Sequence, residues 1–317
     1  MYIGIDLGGT NIAIGIVDDK GKILVKDSTP TLAPRPYTEM VKDMADLINK
    51  LLAEAKLTVA DIKGLGIGTP GSNDAEKGVV LRAENLGFED APLKEELMKY
   101  FDLPFALEND ANAAALGEYV AVGEDSKCFV AVTLGTGIGG GIILDGEIFR
   151  GFNGAAGEIG HTTMVFDGVA CGCGRKGCWE AYASVTALIR QTKVAIENHP
   201  ESLMAAEAKK SGKVNGRTAF DAAKKGDKVA MEVVDKYVKY VADGITNMVN
   251  IFQPDIVVVG GGISKEGDYL IEPIKKYVSE FGYTKTYLTM TKIKAATLRN
   301  DAGIVGAAFA VKNLLKG

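Results

Sequence analysis

The sequence predicts an α/β protein of two similar lobes made by internal duplication, and three observations point there. The chain has 317 residues, enough for two hydrophobic cores. It opens with apolar strands joined by tight polar turns, and a second copy of that opening stands near mid-chain. Ile3-Gly4-Ile5-Asp6-Leu7-Gly8-Gly9-Thr10 aligns without a gap on Val130-Ala131-Val132-Thr133-Leu134-Gly135-Thr136-Gly137. The same register brings Ile16-Val17-Asp18 onto Ile143-Leu144-Asp145. Each copy introduces about half the chain, which favours duplication over chance likeness of two hairpins.

The elements follow in order. Tyr2 to Val25 reads as strand, glycine turn, strand, polar turn at Asp18-Asp19-Lys20-Gly21, strand. Val41, Met44, Ala45, Ile48, Leu51, Leu52 and Ala55 fall on one face of a helix. A strand at Ile62 to Ile67, a turn at Pro70-Gly71, a short helix at Leu93 to Phe101 and a strand at Pro104 to Leu107 come next. Asn109-Asp110 opens a helix to about Val120. Helices at Ser184 to Glu197, Thr218 to Lys225 and Lys228 to Phe252 precede a strand at Asp255 to Val259, and a last helix starts near Ala302.

A net charge of -5, with no long run of Lys or Arg, gives no footprint for nucleic acid or an anionic membrane. No apolar stretch reaches the ~18 residues of a membrane helix. The N-terminus lacks the basic region of a signal peptide. Three of the four cysteines lie between 171 and 178, too close for a disulfide framework, so reduced thiols in the cytoplasm are expected.

Both hairpin turns, Gly8-Gly9-Thr10-Asn11 and Gly135-Thr136-Gly137, combine bare backbone with hydroxyl or amide donors. A phosphate can approach such a backbone closely, whereas either turn alone could equally be a tight hairpin. A Rossmann reading of Gly66, Gly68 and Gly71, or of Gly135, Gly137 and Gly140, fails because neither run opens a helix within a βαβ unit. Asp6, beside the first turn, suits a hydrated Mg²⁺ or a turn cap. Gly260-Gly261-Gly262 ends a strand, where a nucleoside could lie on Gly261 and Gly262.

Transfer of a phosphoryl group to a hydroxyl calls for a carboxylate that takes the proton. Asp110 stands at a strand-to-helix junction, where it fits that task or the task of a helix cap. Of the two histidines, His199 lies in a polar stretch and His161 falls beside the cysteines, which leaves carboxylates as candidate bases. Glu158, Glu180, Asn85 and Asn109 are polar groups of the kind a polyol requires. His161, Cys171, Cys173 and Cys178 form a Cys₃His set suited to a tetrahedral structural Zn²⁺. Cys128 reads as a small core residue.

In this order the motifs Asp6-Leu7-Gly8-Gly9-Thr10-Asn11, Thr69-Pro70-Gly71, Asn85-Leu86-Gly87-Phe88, Glu108-Asn109-Asp110-Ala111-Asn112, Leu134-Gly135-Thr136-Gly137, Gly157-Glu158-Ile159-Gly160-His161 and Cys171 through Glu180 resemble the ROK family (repressors, open reading frames and kinases), most of all its bacterial glucokinases. The resemblance spans nearly the whole chain. It implies the duplicated actin/hexokinase-like (ribonuclease H-like) fold with an interlobe cleft. In that fold, residues 1–118 and the closing helix 303–317 would form a small lobe. Residues 119–302 would form a large lobe with a zinc-binding loop at 157–180.

The resemblance further implies ATP-dependent phosphorylation of a hexose, glucose above all, at its 6-hydroxyl. Asp110 would be the base, and Asn85, Asn109, Asp110, Glu158, His161 and Glu180 would bind the sugar, His161 serving zinc and sugar through different ring nitrogens. ATP and Mg²⁺ would be held by Asp6, Gly8, Gly9, Thr10, Asn11, Thr136, Gly137, Gly261 and Gly262. Family members often form dimers, so a homodimer is expected. Mannose, fructose or an N-acetylhexosamine are alternative substrates. A sugar-responsive repressor is disfavoured, because the first strand begins at Tyr2 and leaves no room for a helix-turn-helix domain ahead of it.

Overall fold

The computed structural model describes residues 1–122, 126–284 and 288–316; Gly317, within the closing helix expected at 303–317, lies outside them. By contact the chain divides into two units. One comprises residues 1–125, 141–157 and 297–317, the other residues 126–140 and 158–296.

The first unit is built on β1 (Tyr2–Leu7), β2 (Asn11–Val17) and β3 (Ile23–Pro30), a meander whose inward apolar side chains are covered by the amphipathic helix α1 (Tyr37–Ala55). The chain returns through β4 (Gly64–Thr69) and makes a small sheet from β5 (Ser72–Asp74), β6 (Val79–Ala83) and β7 (Phe88–Ala91). After the helix α2 (Leu93–Met98) come β8 (Phe105–Asn109) and α3 (Asp110–Val122). The small sheet had no expected counterpart, because its strands are three to five residues long and mix buried with exposed positions irregularly.

The second copy of the meander is β9 (Cys128–Leu134), β10 (Ile138–Leu144) and β11 (Glu147–Ile148). The helices α4 (Glu180–Ala183), α5 (Val185–Asn198), α6 (Leu203–Lys210), α7 (Thr218–Ala223) and α8 (Lys228–Phe252) follow. After them come β12 (Ile256–Gly260), α9 (Asp268–Phe281), β13 (Lys292–Ala295) and α10 (Ala302–Leu314). The two five-stranded sheets have orders β3-β2-β1-β4-β8 and β11-β10-β9-β12-β13. In both, the first strand of the meander carries a parallel neighbour on its far side, so the duplication read from sequence is a duplication of topology. Among the described residues no helix is long and apolar enough to cross a membrane.

Helix α10 packs within the first unit, against β1, β4 and α3. Apart from Phe309, its buried residues are Ala, Gly, Ile and Val, and glycines face it. A Cβ at Gly4 would overlap the Ile304 carbonyl, one at Gly66 the Ala307 carbonyl and one at Gly117 the Ala302 carbonyl. One at Gly306, on α10 itself, would overlap the carbonyl of Ala113. The helix therefore lies at backbone contact distance from sheet and neighbour alike. The buried Glu118 of α3 secures the chain leading into α10, accepting from Thr297 N at 2.8 Å, Leu298 N at 2.8 Å and Arg299 N at 3.1 Å.

Overlap with backbone cannot be relieved by a rotamer change, so Gly306→Ala is expected to destabilise the protein by about 2–4 kcal/mol, beyond the usual range for one added methyl. Urea unfolding checks this: an unchanged midpoint would show that the contact is looser than described.

Candidate active site

In the first unit, β1 places Asp6 next to the glycine turn. Gly8 N–H donates to the Asn11 carbonyl at 3.0 Å, while Thr31 donates to the Gly8 carbonyl from its hydroxyl at 2.6 Å and to the Thr10 carbonyl from its backbone at 2.9 Å. Thr31 is fully buried, so the turn is held from beneath while Gly9, Thr10 and Asn11 stay exposed. Asn85 sits in the turn between β6 and β7, and its Cβ lies 3.5 Å from where a Cβ on Gly9 would be. The glycine turn and Asn85 are thus neighbours. Leu86, fully buried beside it, anchors that turn.

Asn109 ends β8 and Asp110 begins α3. The Asn109 Oδ1 accepts from Ala111 N at 2.9 Å and Asn112 N at 3.3 Å, which is the action of an N-cap. Asp110 also accepts from Ala111 N at 2.9 Å. The sequence left Asp110 between cap and base; the structure shows that Asn109 does the main capping. Asp110 reaches solvent, yet the protein around it holds its carboxyl above the ordinary range, against the opposing pull of the Ala111 N–H and the Asn109 side chain.

Asp6 is pushed up to about 6, first by burial and then by the negative charge of Asp110. Its carboxylate lies over the first turn of α10, where a Cβ on Gly303 would stand 2.7 Å from its Oδ2. Two like charges have been gathered where a cation would relieve both, and that donor chemistry fits Mg²⁺.

In the second unit the matching turn closes differently: Gly135 N–H donates to the Gly137 carbonyl at 3.0 Å. The start of α5 braces it, with Val185 N–H donating to the Gly135 carbonyl at 2.9 Å and the Thr186 hydroxyl to the Thr136 carbonyl at 2.7 Å. Glu180 Oε2 accepts from Ile138 N at 2.9 Å and lies where a Cβ on Gly137 would be, so residue 137 must be glycine for this contact. Gly261, with φ of 85°, abuts the Leu134 carbonyl closely enough to exclude any side chain, while Gly262 has open space around it. The strand ends of β9 and β12 therefore bring both glycine turns of this unit together.

The ligand atoms of His161, Cys171, Cys173 and Cys178 all lie within 4.8 Å of one another. The Sγ atoms of Cys173 and Cys178 are 3.6 Å apart, and Cys171 Sγ is 3.7 Å from His161 Nδ1. Donors bonded tetrahedrally to one Zn²⁺ at about 2.0–2.3 Å stand about 3.3–3.8 Å apart, as these two pairs do, and three thiols with one imidazole are a donor set that fits a closed structural site. Backbone bonds preform the loop, among them Cys171 N–H to the Arg175 carbonyl at 2.8 Å and Trp179 N–H to the Thr162 carbonyl at 2.8 Å.

His161 turns Nδ1 toward the cysteines and leaves Nε2 3.9 Å from Glu158 Oε2. Glu180 Oε1 is 3.6 Å from Cys171 Sγ. Trp179 fixes the start of α4: its indole donates to the Tyr240 carbonyl at 2.8 Å, and Gly244 of α8 leaves the room its ring occupies.

Each unit thus gathers its own share of the expected residues. Asp6, Gly8, Gly9, Thr10, Asn11, Asn85, Asn109 and Asp110 belong to the first. Thr136, Gly137, Glu158, His161, Cys171, Cys173, Cys178, Glu180, Gly261 and Gly262 belong to the second. Sequence reasoning missed Thr31, which holds the first turn, and the bond from Ile138 to Glu180. It also missed the pair Glu108 and Arg150. Their partners are far apart in sequence, so no local pattern announces them.

A duplicated βββ unit with a glycine turn in each copy, extended by parallel crossovers, defines the actin/hexokinase-like class of phosphotransfer folds. The chain belongs to the ROK family, whose model matches residues 2–313. It is 38% identical over 313 residues to a glucokinase of Halalkalibacterium halodurans, covering 98% of this chain and 94% of that one. The structure matches the ROK family glucokinase of Streptomyces griseus, solved with glucose and AMPPNP, at a TM-score of 0.79 and 36% identity over 98% of this chain and 99% of that one. A xylose repressor of Caldicellulosiruptor bescii is 32% identical over 99% of this chain and 78% of its own length.

The raised carboxyl of Asp6 gives a test by linkage. Unfolded, Asp6 releases its proton near 3.8; folded, it keeps it to about 6, so the folded state binds more protons between these values and loses stability as pH rises through them. In metal- and nucleotide-free protein, Asp6→Asn should therefore be more stable than wild type by about 1–3 kcal/mol at pH 8, after allowing for solvent access, and equal to it near pH 4. Urea denaturation at the two pH values measures the difference; a pH-independent difference contradicts the burial of this charge.

Proposed function

We propose that this protein transfers the γ-phosphoryl group of ATP to the 6-hydroxyl of a hexose, glucose above all, with Asp110 as the base. One observation supports the reading above the rest. Within a near full-length match to glucokinases, the carboxylate at the strand-to-helix junction is relieved of capping by Asn109 and carries a raised pKa. Asp110 accepts the proton of the 6-hydroxyl as its oxygen attacks the γ-phosphorus. The bond to the β-phosphate oxygen breaks, and hexose 6-phosphate and ADP leave.

A carboxylate whose pKa is raised above the ordinary range by the protein around it is a stronger proton acceptor than a solvated one, which suits the task of a base. Asn85, Asn109, Glu158, His161 and Glu180 would fix the hexose hydroxyls. The turns at Gly8 to Asn11 and Thr136-Gly137 would hold phosphates through backbone N–H groups, and Gly261-Gly262 would give the nucleoside a bare surface. Mg²⁺, which Asp6 would help to hold, supplies charge neutralisation on the phosphates.

Zn²⁺ on His161, Cys171, Cys173 and Cys178 would have a structural role, fixing the His161 ring and the loop that carries Glu180. A cytoplasmic homodimer feeding glycolysis completes the reading, with the dimer open to analytical ultracentrifugation.

A coupled assay of glucose, mannose, fructose and N-acetylmannosamine with ATP and Mg²⁺ tests the substrate; turnover of N-acetylmannosamine without glucose would reassign it. Asp110→Asn should lower kcat by about 10²–10⁴-fold with a small change in sugar affinity, and near wild-type turnover in the folded variant would sink the base. Metal analysis should find about one zinc per chain, and Cys173→Ser, which removes one of four ligands, should lose most of it together with activity. Full zinc and full activity in that variant would contradict the site.

A further inference from the structure

We propose that Arg150 is a positioning residue for phosphoryl transfer: paired with the buried Glu108, its guanidinium fixes the junction that carries Asp110 and ties down the loop that runs into Glu158. The proposal rests on the reading of Asp110 as the base.

Glu108 lies in β8, two residues before Asp110, and is 4% exposed. A buried carboxylate stays charged only where a cation and hydrogen bonds replace the water it has lost. Here both oxygens are used. Oε2 receives Arg150 Nε at 2.8 Å and Nη2 at 2.7 Å. Oε1 receives the Asn109 backbone N–H at 3.0 Å and the Asn112 side-chain amide at 3.0 Å. These last two donors come from the residues on either side of Asp110 and Ala111.

Asn109 in turn caps α3 and donates from its side chain to Asp110. An unbroken line of hydrogen bonds therefore joins the guanidinium to the base. Without Arg150, Oε2 of the buried Glu108 loses both of its donors, and the side chain must turn to find others or keep an unpaired oxygen. That turn loosens its hold on Asn109 and Asn112.

Arg150 also acts through its backbone. Its carbonyl accepts from Ala156 N–H at 3.0 Å, closing a loop that passes through Gly151 and Gly154, both at positive φ. Gly157 and Glu158 follow directly. One residue thus restrains the base by its side chain and the approach to a proposed hexose contact by its main chain. Nε and Nη2 both donate to the one oxygen Oε2 from a rigid plane, two directed bonds that the compact ammonium of lysine, on a flexible stem, does not reproduce. The Arg150 side chain is 40% exposed, so a small cation from solution can reach its place once it is removed.

The test is kinetic, using whichever hexose the enzyme turns over best. Arg150→Ala is expected to lose about 10- to 100-fold in kcat with a much smaller change in KM, as for a misplaced catalytic group. Millimolar methylguanidinium should restore part of that kcat in a saturable way and leave the wild type unaffected, and Arg150→Lys should remain impaired. Wild-type kcat in Arg150→Ala overturns the proposal. So does a loss that matches the unfolded fraction seen by circular dichroism and gives no response to methylguanidinium.

If Arg150→Ala fails to fold, the double variant Glu108→Gln with Arg150→Met, which leaves no buried charge, is assayed instead. Lowered kcat in that folded protein supports the proposal, and wild-type kcat overturns it. Asp110→Asn is measured alongside. An active Asp110→Asn brings down the base assignment, whereas an inactive one beside a fully active Arg150→Ala brings down only the role of Arg150.

Discussion

The contact between α10 and the first sheet is the constraint on which the first unit depends. The last helix of the chain lies against the strand formed by the first residues, and it can do so only where glycine stands on one side or the other of each crossing. Such contacts add many small dispersion gains and tolerate no added atom. They also set the chemistry. Gly303, in the first turn of α10, leaves room for the carboxylate of Asp6, and Gly306 lets α10 meet the backbone of α3, whose first residue is Asp110. Backbone packing thus sets the elements that carry the candidate base and the candidate metal ligand in register, and the side-chain bonds around Asp110 act within that frame.

In the second unit the corresponding pivot is Glu180. One of its oxygens accepts from the residue after the glycine turn, and the other faces Cys171 of the thiol cluster. Trp179, buried against α8, sets where α4 begins and therefore where this carboxylate points. The thiol cluster, the phosphate-type turn and a proposed sugar contact are linked through one side chain. A metal that stiffened the loop would stiffen all three, which gives physical content to a structural ion remote from bond breaking.

Much of this was legible in the sequence because it is written in local patterns. The repeat around Gly8 and Gly135, the helical stripe from Val41 to Ala55 and the junction at Asn109-Asp110 each follow from spacing alone. The grouping of His161 with the three cysteines was legible because thiols are few. Part of what stayed hidden involves side chains that meet residues distant in sequence. Glu108 and Arg150 are 42 positions apart, and nothing beside either marks it as paired. The division of labour between Asn109 and Asp110 was hidden for another reason: both are good caps, and only geometry shows which one caps. The small sheet β5 to β7 escaped because its strands are too short to show a period.

The duplication explains why two glycine turns exist, and its imperfections explain how they came to differ. The strand position that holds Asp6 in the first copy holds Thr133 in the second. The first copy thus carries a carboxylate beside its glycine turn, and the second a neutral hydroxyl. The third strand, eight residues long in the first copy, is cut to Glu147–Ile148 in the second, and the chain then departs through Arg150. Ending that strand early places the guanidinium on Glu108 rather than on another turn of a regular meander. Both of these departures from the repeat therefore fall beside residues of the proposed chemistry, one at Asp6 and one at the pair of Arg150 and Glu108.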